Sequence, residues 1–504
     1  MNLVSLLLGG AAGNPVSPAL IGEDESLTLG RLDDLARRLA AVIAARADRG
    51  ARVVILARNE PGFAVAYLGA LAAGLVAVPL NPASPPAALA REMQGVGAAL
   101  VVATPSCCEG AREAAALAAA SIEVLVVEWG AGSALDAAEP APVVDASDDD
   151  LAVLLFTSGT GGAPKAAMLT HGCLAANIEQ VQSHPGLALL SGDTVLGVLP
   201  LFHVFGLNVV LGLALVAGAP VALVDRFDPA AALARIRRDR VTVLAAVPAM
   251  YSAWLALDVD AAPADAFAGV RLAVSGAAAL RPEVAAAMKN RFGVTVHEGY
   301  GLTEASPIVT TAAVDGEAHP GSIGPPLRGV EVRLVDNDGA DALEGDPGEI
   351  WVRGPNVFAG YWGEPETSSK VLVEGGWLRT GDVAVADPDG WLRIVDRAKD
   401  LIIVSGFNVY PAEVEEALAS HPDVAAAAVV GEPNERTGEA VVAFVVPSPG
   451  VAPDKAELVR HAGKRLARYK LPSRVEVVDD LPRSWGGKLL RRELRPEGGA
   501  GTRL

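Results

Sequence analysis

Over its first 300 residues the chain keeps switching hydrophobic period, from helical spacing to short uninterrupted apolar runs and back. Residues 27–46 start near Thr28, a good N-cap, and place Leu32, Leu35, Leu39, Val42 and Ile43 at helical spacing. Residues 53–56 (Val-Val-Ile-Leu) read as a short buried strand, residues 63–73 as a helix, and residues 75–80 as a strand that ends at proline. The alternation continues with strands at 124–128 and 221–224, a helix at 229–239, and strands at 241–247 and 272–275. Strands that are apolar on both faces and separated by helices predict an α/β protein built on mostly parallel sheets.

After about residue 325 turn residues become frequent and the apolar residues alternate, as in residues 330–335, 348–353 and 391–395. Asn337-Asp338-Gly339 and Asp387-Pro388-Asp389-Gly390 are hairpin turn signals between such runs. A β-rich subdomain is expected over about 325–396. From Ala398 the strand–helix alternation resumes, which puts a boundary near 396–399 and divides the chain into residues 1–396 and 397–504. A length of 504 residues suits such a pair of a large and a small domain.

Charge narrows the function classes. The net charge of −19 argues against nucleic acid as a partner. The exception is local: from Lys455 onward there are 13 Lys and Arg against six Asp and Glu, a net of +7. A polyanion such as a nucleotide or coenzyme A would suit this stretch, although charge alone fits a solvated basic surface better. The three cysteines include the adjacent pair Cys107 and Cys108, form no CxxC metal motif, and suit a reducing, cytoplasmic setting. Residues 3–8 are apolar but lack a preceding positive charge, so no secretory signal is expected. Residues 194–224 are uncharged and long enough to span a bilayer, but they hold Pro200, His203, Asn208, Gly206, Gly212 and Gly218. A buried strand–helix segment of a core is the expected outcome. An integral membrane segment is therefore not expected, while peripheral membrane contact and a homodimer stay open.

Thr157-Ser158-Gly159-Thr160-Gly161-Gly162-Ala163-Pro164-Lys165 follows the apolar run 153–156 and packs three hydroxyls, three glycines and a lysine into nine residues. Glycines let main-chain N–H groups face an anion, and the hydroxyls and lysine add donors and charge, so the segment reads as a phosphate loop. It is not a P-loop of the Walker type, because Pro164 precedes Lys165 and Ala166 follows it. The segment resembles the signature of the adenylate-forming superfamily, which includes acyl-CoA synthetases, nonribosomal peptide adenylation domains and firefly luciferases. Gly161 stands where that family usually has Thr or Ser, and Ala166 where it usually has Gly.

Further segments resemble the family in the same order and cover essentially the whole chain. Residues 199–206 are similar to its acyl-site segment, with His203 beside the substrate carboxylate. Residues 274–280 resemble the turn under the adenine, with Gly276, Ala277 and Ala278 against the base. In residues 298–307 the resemblance implies that Glu298, Gly299, Tyr300 and Gly301 contact the nucleotide, that Tyr300 stacks on adenine, that Thr303 meets phosphate, and that Glu304 holds Mg²⁺. Asp382 and Arg397 would hold the ribose, and Lys399 would be the hinge of the C-terminal domain. Ser405, Gly406 and Phe407 would enter the site for the second half-reaction, and Lys488, behind Gly486-Gly487, would be the catalytic lysine.

The resemblance implies a fold of two stacked, mostly parallel α/β sheets with the β-rich subdomain, plus a small mobile α+β C-terminal domain. It implies an ATP-dependent acid–thiol ligase that forms an acyl adenylate and transfers the acyl group to coenzyme A, with Mg²⁺ as cofactor. No carrier-protein sequence follows Lys488, which makes a free thiol the simpler acceptor. Gly299 stands where malonyl-specific relatives carry Arg, and residues 204–213 are apolar and small. A medium- or long-chain fatty acid is expected, with an aryl acid, or a stand-alone adenylation enzyme that loads a carrier protein, as the alternatives.

Overall fold

A computed structural model describes all residues except 24, 119–121, 130–132, 158–163, 318, 337, 398–399, 405–406, 435, 484–488 and 495–504. The side chains of residues 134, 396, 397, 408 and 492 also lie outside that description.

The helix Leu29–Ala44 begins where its N-cap allows: Thr28 Oγ1 accepts the Arg31 N–H at 3.3 Å. Its apolar stripe, Leu32, Leu35, Leu39 and Ile43, is fully buried. Pro61 opens the helix Pro61–Ala72, in which all residues are buried, as suits a helix apolar on every side and enclosed by neighbours.

Two mixed sheets organise the first two-thirds of the chain. In spatial order the larger holds six parallel strands, Pro18–Ile21, Val221–Leu223, Val195–Gly197, Val243–Ala246, Leu272–Ser275 and Val296–Gly301. The antiparallel strands Ser26–Thr28 and Ile308–Thr311 close its two edges. The other sheet runs Glu123–Val126, Ala98–Ala103, Arg52–Leu56, Val76–Pro79 and Leu151–Thr157 in parallel, and then adds Lys165–Thr170 antiparallel to Leu151–Thr157. The expected α/β class with mostly parallel sheets is thus found. The uncharged stretch 194–224 is a strand, Val195–Gly197, a π-helical segment, Phe205–Gly212, the helix Leu213–Ala217 and a strand, Val221–Leu223. Among the described residues no helix is long and apolar enough to cross a membrane. Cys107, Cys108 and Cys173 are free thiols.

The chain divides into two compact units, one of Met1–Val332 with Val352–Leu378, the other of Arg333–Trp351 with Arg379–Leu504. In the second unit Leu392–Arg397 pairs antiparallel with the strand Trp377–Ala386, from Asp382 onward, through the turn at 387–390. Asp387 N–H donates to the Trp391 carbonyl at 3.0 Å and Gly390 has φ 81°, so the turn signal read in the sequence is a hairpin turn. The same unit holds a mixed sheet of Phe407–Val409, Ile402–Val404, Gly438–Pro447 and Val424–Asn434, with Arg474–Val477 parallel to Gly438–Pro447. Its own core forms where Val414 and Leu418 of the helix Pro411–Ala419, and Leu458 of Lys455–Ala462, pack on Ile402, Val429, Val441 and Val445.

Candidate active site

The segments singled out in the sequence follow the carboxyl ends of the larger sheet's parallel strands. Residues 199–206 follow Val195–Gly197, residues 276–279 follow Leu272–Ser275, and Thr303–Ala305 follows Val296–Gly301. In open parallel sheets this rim is where ligands bind. Two of these segments touch: a Cβ placed on Gly276 would stand 2.9 Å from the Phe205 ring, so only glycine leaves both in position. Beside it Ala277 takes φ 69°, a left-handed conformation that an L side chain adopts only under strain. Ala277 is exposed and Ala278 half-buried.

Glu298 is buried beneath this turn. Its carboxylate accepts the Leu280 N–H and the Gly321 N–H, each at 3.0 Å. It therefore ties the main chain just after the turn, at Leu280, to the distant main chain at Gly321, a job the sequence reading did not assign to it. Gly299 and Tyr300 pair with Thr311 and Thr310 of the edge strand. At Gly301 a Cβ would sit 2.2 Å from the Pro307 carbonyl oxygen, which explains the glycine. Thr303 and Glu304 then lie half-buried on the single turn Thr303–Ala305.

Four buried amide side chains, which the sequence reading did not place in the site, hold this turn from behind. Asn177 exchanges two hydrogen bonds with the main chain of Ile308, at 2.8 and 3.1 Å. Asn356 donates to the Ala305 carbonyl at 2.9 Å, and Asn208 to the Ser306 carbonyl at 2.7 Å. Gln180 links Asn177 and Asn356 at 3.2 and 3.4 Å. The available signal was Asn208: an amide inside a long apolar run must find partners when buried.

Thr157 ends its strand opposite Lys165, and Thr157 Oγ1 donates to the Lys165 carbonyl at 3.4 Å. The phosphate loop therefore connects two antiparallel strands, unlike the strand-to-helix turn of a Walker P-loop. Ser158, Gly159, Thr160, Gly161 and Gly162 lie outside the described residues. The Lys165 ammonium lies 5.6 Å from the centre of the Tyr361 ring, and Tyr361 Oη donates to Glu304 Oε1 at 2.7 Å. Burial, and then the Glu304 charge, raise the Tyr361 phenol above its ordinary range, so it stays a donor. His203 stacks at 4.8 Å from Phe202, and burial lowers its pKa to about 4, which keeps the imidazole neutral.

The AMP-binding enzyme model matches residues 9–362, and the AMP-binding enzyme C-terminal domain model matches residues 413–488. The chain belongs to the AMP-binding enzyme family. It is 35% identical to a long-chain-fatty-acid–CoA ligase of Yersinia pestis, over 98% of this chain and 94% of the relative. It is 39% identical to a feruloyl-CoA synthase of Amycolatopsis sp, over 96% of each chain. The solved structure of ATP-bound MatB from Rhodopseudomonas palustris superposes with a TM-score of 0.91 at 33% identity over 98% of both chains. This AMP-binding enzyme is an AMP-forming acid–thiol ligase, and ATP and coenzyme A fit as its substrates.

In the second unit of the AMP-binding enzyme, Asp382 is buried and its N–H donates to Thr380 Oγ1 at 3.1 Å. Arg397 is its register partner on the neighbouring strand. Phe407 is exposed, starts its strand and stacks 4.9 Å from Tyr469. Lys399, Ser405, Gly406 and Lys488 lie outside the described residues. On the far side of the Lys488 segment, Arg491 grips both carboxylate oxygens of Glu415 at 2.9–3.1 Å and reaches Asp400 at 3.3 Å.

A hard cation fits Glu304. It is a half-buried carboxylate with one oxygen fixed by Tyr361, and Mg²⁺ characteristically binds one or two carboxylates together with nucleotide phosphates and water.

Proposed function

We propose that the enzyme activates a hydrophobic monocarboxylic acid as its acyl adenylate and transfers the acyl group to coenzyme A. The observation that carries this reading is the meeting of the acyl segment and the adenine turn at Phe205 and Gly276, on the rim of one parallel sheet. Such a rim would bring an acid carboxylate and a nucleotide α-phosphate together.

In the first step a carboxylate oxygen attacks the α-phosphorus, and the bond to the bridging oxygen of pyrophosphate breaks. Both reactants are anions, so the enzyme must offset repulsion and align them. Thr157, Lys165, Thr303 and the loop 158–162 would supply donors and charge, and Lys488 would bridge the reacting oxygens. Bound Mg²⁺ at Glu304 would neutralise phosphate charge. Neutral His203 would orient the acid without pairing with it. The base would lie over Gly276, Ala277 and Ala278, stacked by Tyr300, and Asp382 with Arg397 would hold the ribose. In the second step the thiolate attacks the acyl carbonyl and AMP leaves. That step would follow rotation of a C-terminal domain, residues 397–504, about Lys399, with Ser405, Gly406 and Phe407 entering the site. The three free thiols suit a cytoplasmic setting.

A medium- or long-chain fatty acid suits the apolar segment that follows His203, where Leu207, Val210 and Leu211 are buried. An aryl acid is the second reading, favoured by the likeness to a feruloyl-CoA synthase. The test is acid-dependent ATP–pyrophosphate exchange over fatty, aryl and dicarboxylic acids, followed by thioester formation with free coenzyme A. Exchange with dicarboxylic acids alone would reject the monocarboxylate. Exchange without thioester formation would point to a carrier protein as acceptor.

A further inference from the structure

Residues 358–362 run between the strand that starts at Lys165 and the turn that carries Glu304, and they are stitched to both. Trp362 N–H donates to Ala166 at 2.8 Å, Met168 N–H to Gly360 at 2.9 Å, and Ala359 N–H to Met168 at 2.9 Å. On the other side Phe358 N–H donates to the Glu304 carbonyl at 2.9 Å. Tyr361 stands in the middle, with its ring 5.0 Å edge-on to Phe358 and its own N–H donating to Ser368 Oγ at 2.8 Å. Its two ends face opposite charges, the Lys165 ammonium over the ring and the Glu304 carboxylate at the hydroxyl.

We propose that Tyr361 is a positioning residue for the adenylation step: its hydroxyl fixes the Glu304 carboxylate and its ring seats the Lys165 ammonium, so that one side chain aligns both charged groups toward Mg²⁺ and the nucleotide phosphates. This rests on the reading that Glu304 and Lys165 serve that nucleotide. A glutamate on a single helical turn has many rotamers, and a lysine more, so each would lose affinity to ordering on binding. A carboxylate only accepts hydrogen bonds, and the phenol remains a donor, so the bond has one polarity and leaves Oε2 for a cation. A cation over an aromatic face is held without losing its donors, which stay available to an anion.

The experiment measures ATP binding by calorimetry, across Mg²⁺ concentrations, for the wild type, Tyr361→Phe, Glu304→Gln and the double variant, with the thermal midpoint of each. Tyr361→Phe keeps the ring and removes the hydroxyl. It should weaken Mg²⁺-dependent ATP binding about tenfold, the scale of one hydrogen bond to a charged group, at an unchanged midpoint. In the Glu304→Gln background it should add little, because the two groups act as one. Wild-type affinity in Tyr361→Phe beside weakened binding in Glu304→Gln would overturn the positioning role alone. Unchanged binding in Glu304→Gln would overturn the Glu304 reading beneath it. Additive losses with a lowered midpoint would mean that Tyr361 serves packing only, and would also overturn the proposal.

Discussion

The side-chain amide of Asn208 donates to the carbonyl of Ser306 at 2.7 Å, and so joins the helical segment that follows His203 to the turn that carries Glu304. The same amide donates to the Leu174 carbonyl at 3.1 Å. Asn208→Ala would strand two buried acceptors, at about 1–3 kcal/mol for each. We expect a lower urea midpoint and, at temperatures where the variant is folded, slower ATP–pyrophosphate exchange at saturating substrates. Asn208→Asp, which lacks the donors and adds a buried charge, should be worse. An Asn208→Ala enzyme with unaltered exchange would mean that the bond serves stability alone.

Ala277 offers the opposite kind of change. Its φ of 69° costs an L residue about 1–2 kcal/mol, and the residue is exposed, so little packing depends on its methyl group. Ala277→Gly removes the strain and adds up to about 1 kcal/mol of chain entropy to the unfolded state. Urea denaturation should show a net gain of about 0.5–1 kcal/mol. A loss of stability would mean that the methyl group packs where the turn needs it.

The fold was legible because its signals are local. Thr28 caps its helix, Pro229 opens the helix read from 229, and Leu272–Ser275 and Gly348–Arg353 are strands with the bounds their apolar pattern implies. Within the candidate site, glycines mark where two segments of the chain come close, Gly276 against Phe205 and Gly301 against Pro307. Tyr361 was not legible, because its function depends on a sheet pairing with residues nearly 200 positions earlier, and Gly360-Tyr361-Trp362 has no spacing that signals it. Glu298 shows a different limit. An acid in a nucleotide segment reads as a ligand contact, yet here its carboxylate is engaged by the main chain at Leu280 and Gly321. Side-chain-to-main-chain bonds between distant segments leave no period in a sequence.

Acid should destabilise the protein through His171. Its Nδ1 accepts the Leu3 N–H at 3.1 Å, the ring is buried, and burial lowers its pKa to about 4, against the pull of Asp150 and Asp148 and with the push of the N-terminal ammonium and Arg49. An unfolded imidazole titrates near 6.5. Between these values the unfolded chain holds a proton that the folded chain does not, so stability falls as pH drops through 6.5 and levels off below about 4. The full effect is roughly 3 kcal/mol, at 1.36 kcal/mol per pKa unit. His203, also near 4, acts in the same direction. Urea titrations at pH 7.5 and 5.0 should show the loss, and His171→Gln should reduce it. An unchanged pH difference in that variant would exclude His171 as the source.

Lys488 and Lys399 should separate the two half-reactions. The residues that flank the Lys488 segment are held by the Arg483–Leu489 β-bridge, by Leu490 N–H on the Pro482 carbonyl at 2.8 Å, and by the Arg491–Glu415 pair. Lys488→Ala should slow adenylation by roughly 10²–10³, the scale for loss of one key electrostatic donor, and should spare thioester formation from preformed acyl adenylate. Lys399→Pro should do the reverse, because a proline at a hinge limits the backbone change a domain rotation needs. Pyrophosphate release should then persist while thioester formation stops. Burst measurements of pyrophosphate and single-turnover thioester assays read the two steps apart. Equal loss of both steps in Lys488→Ala would refute its assignment, and equal loss in Lys399→Pro would refute the hinge.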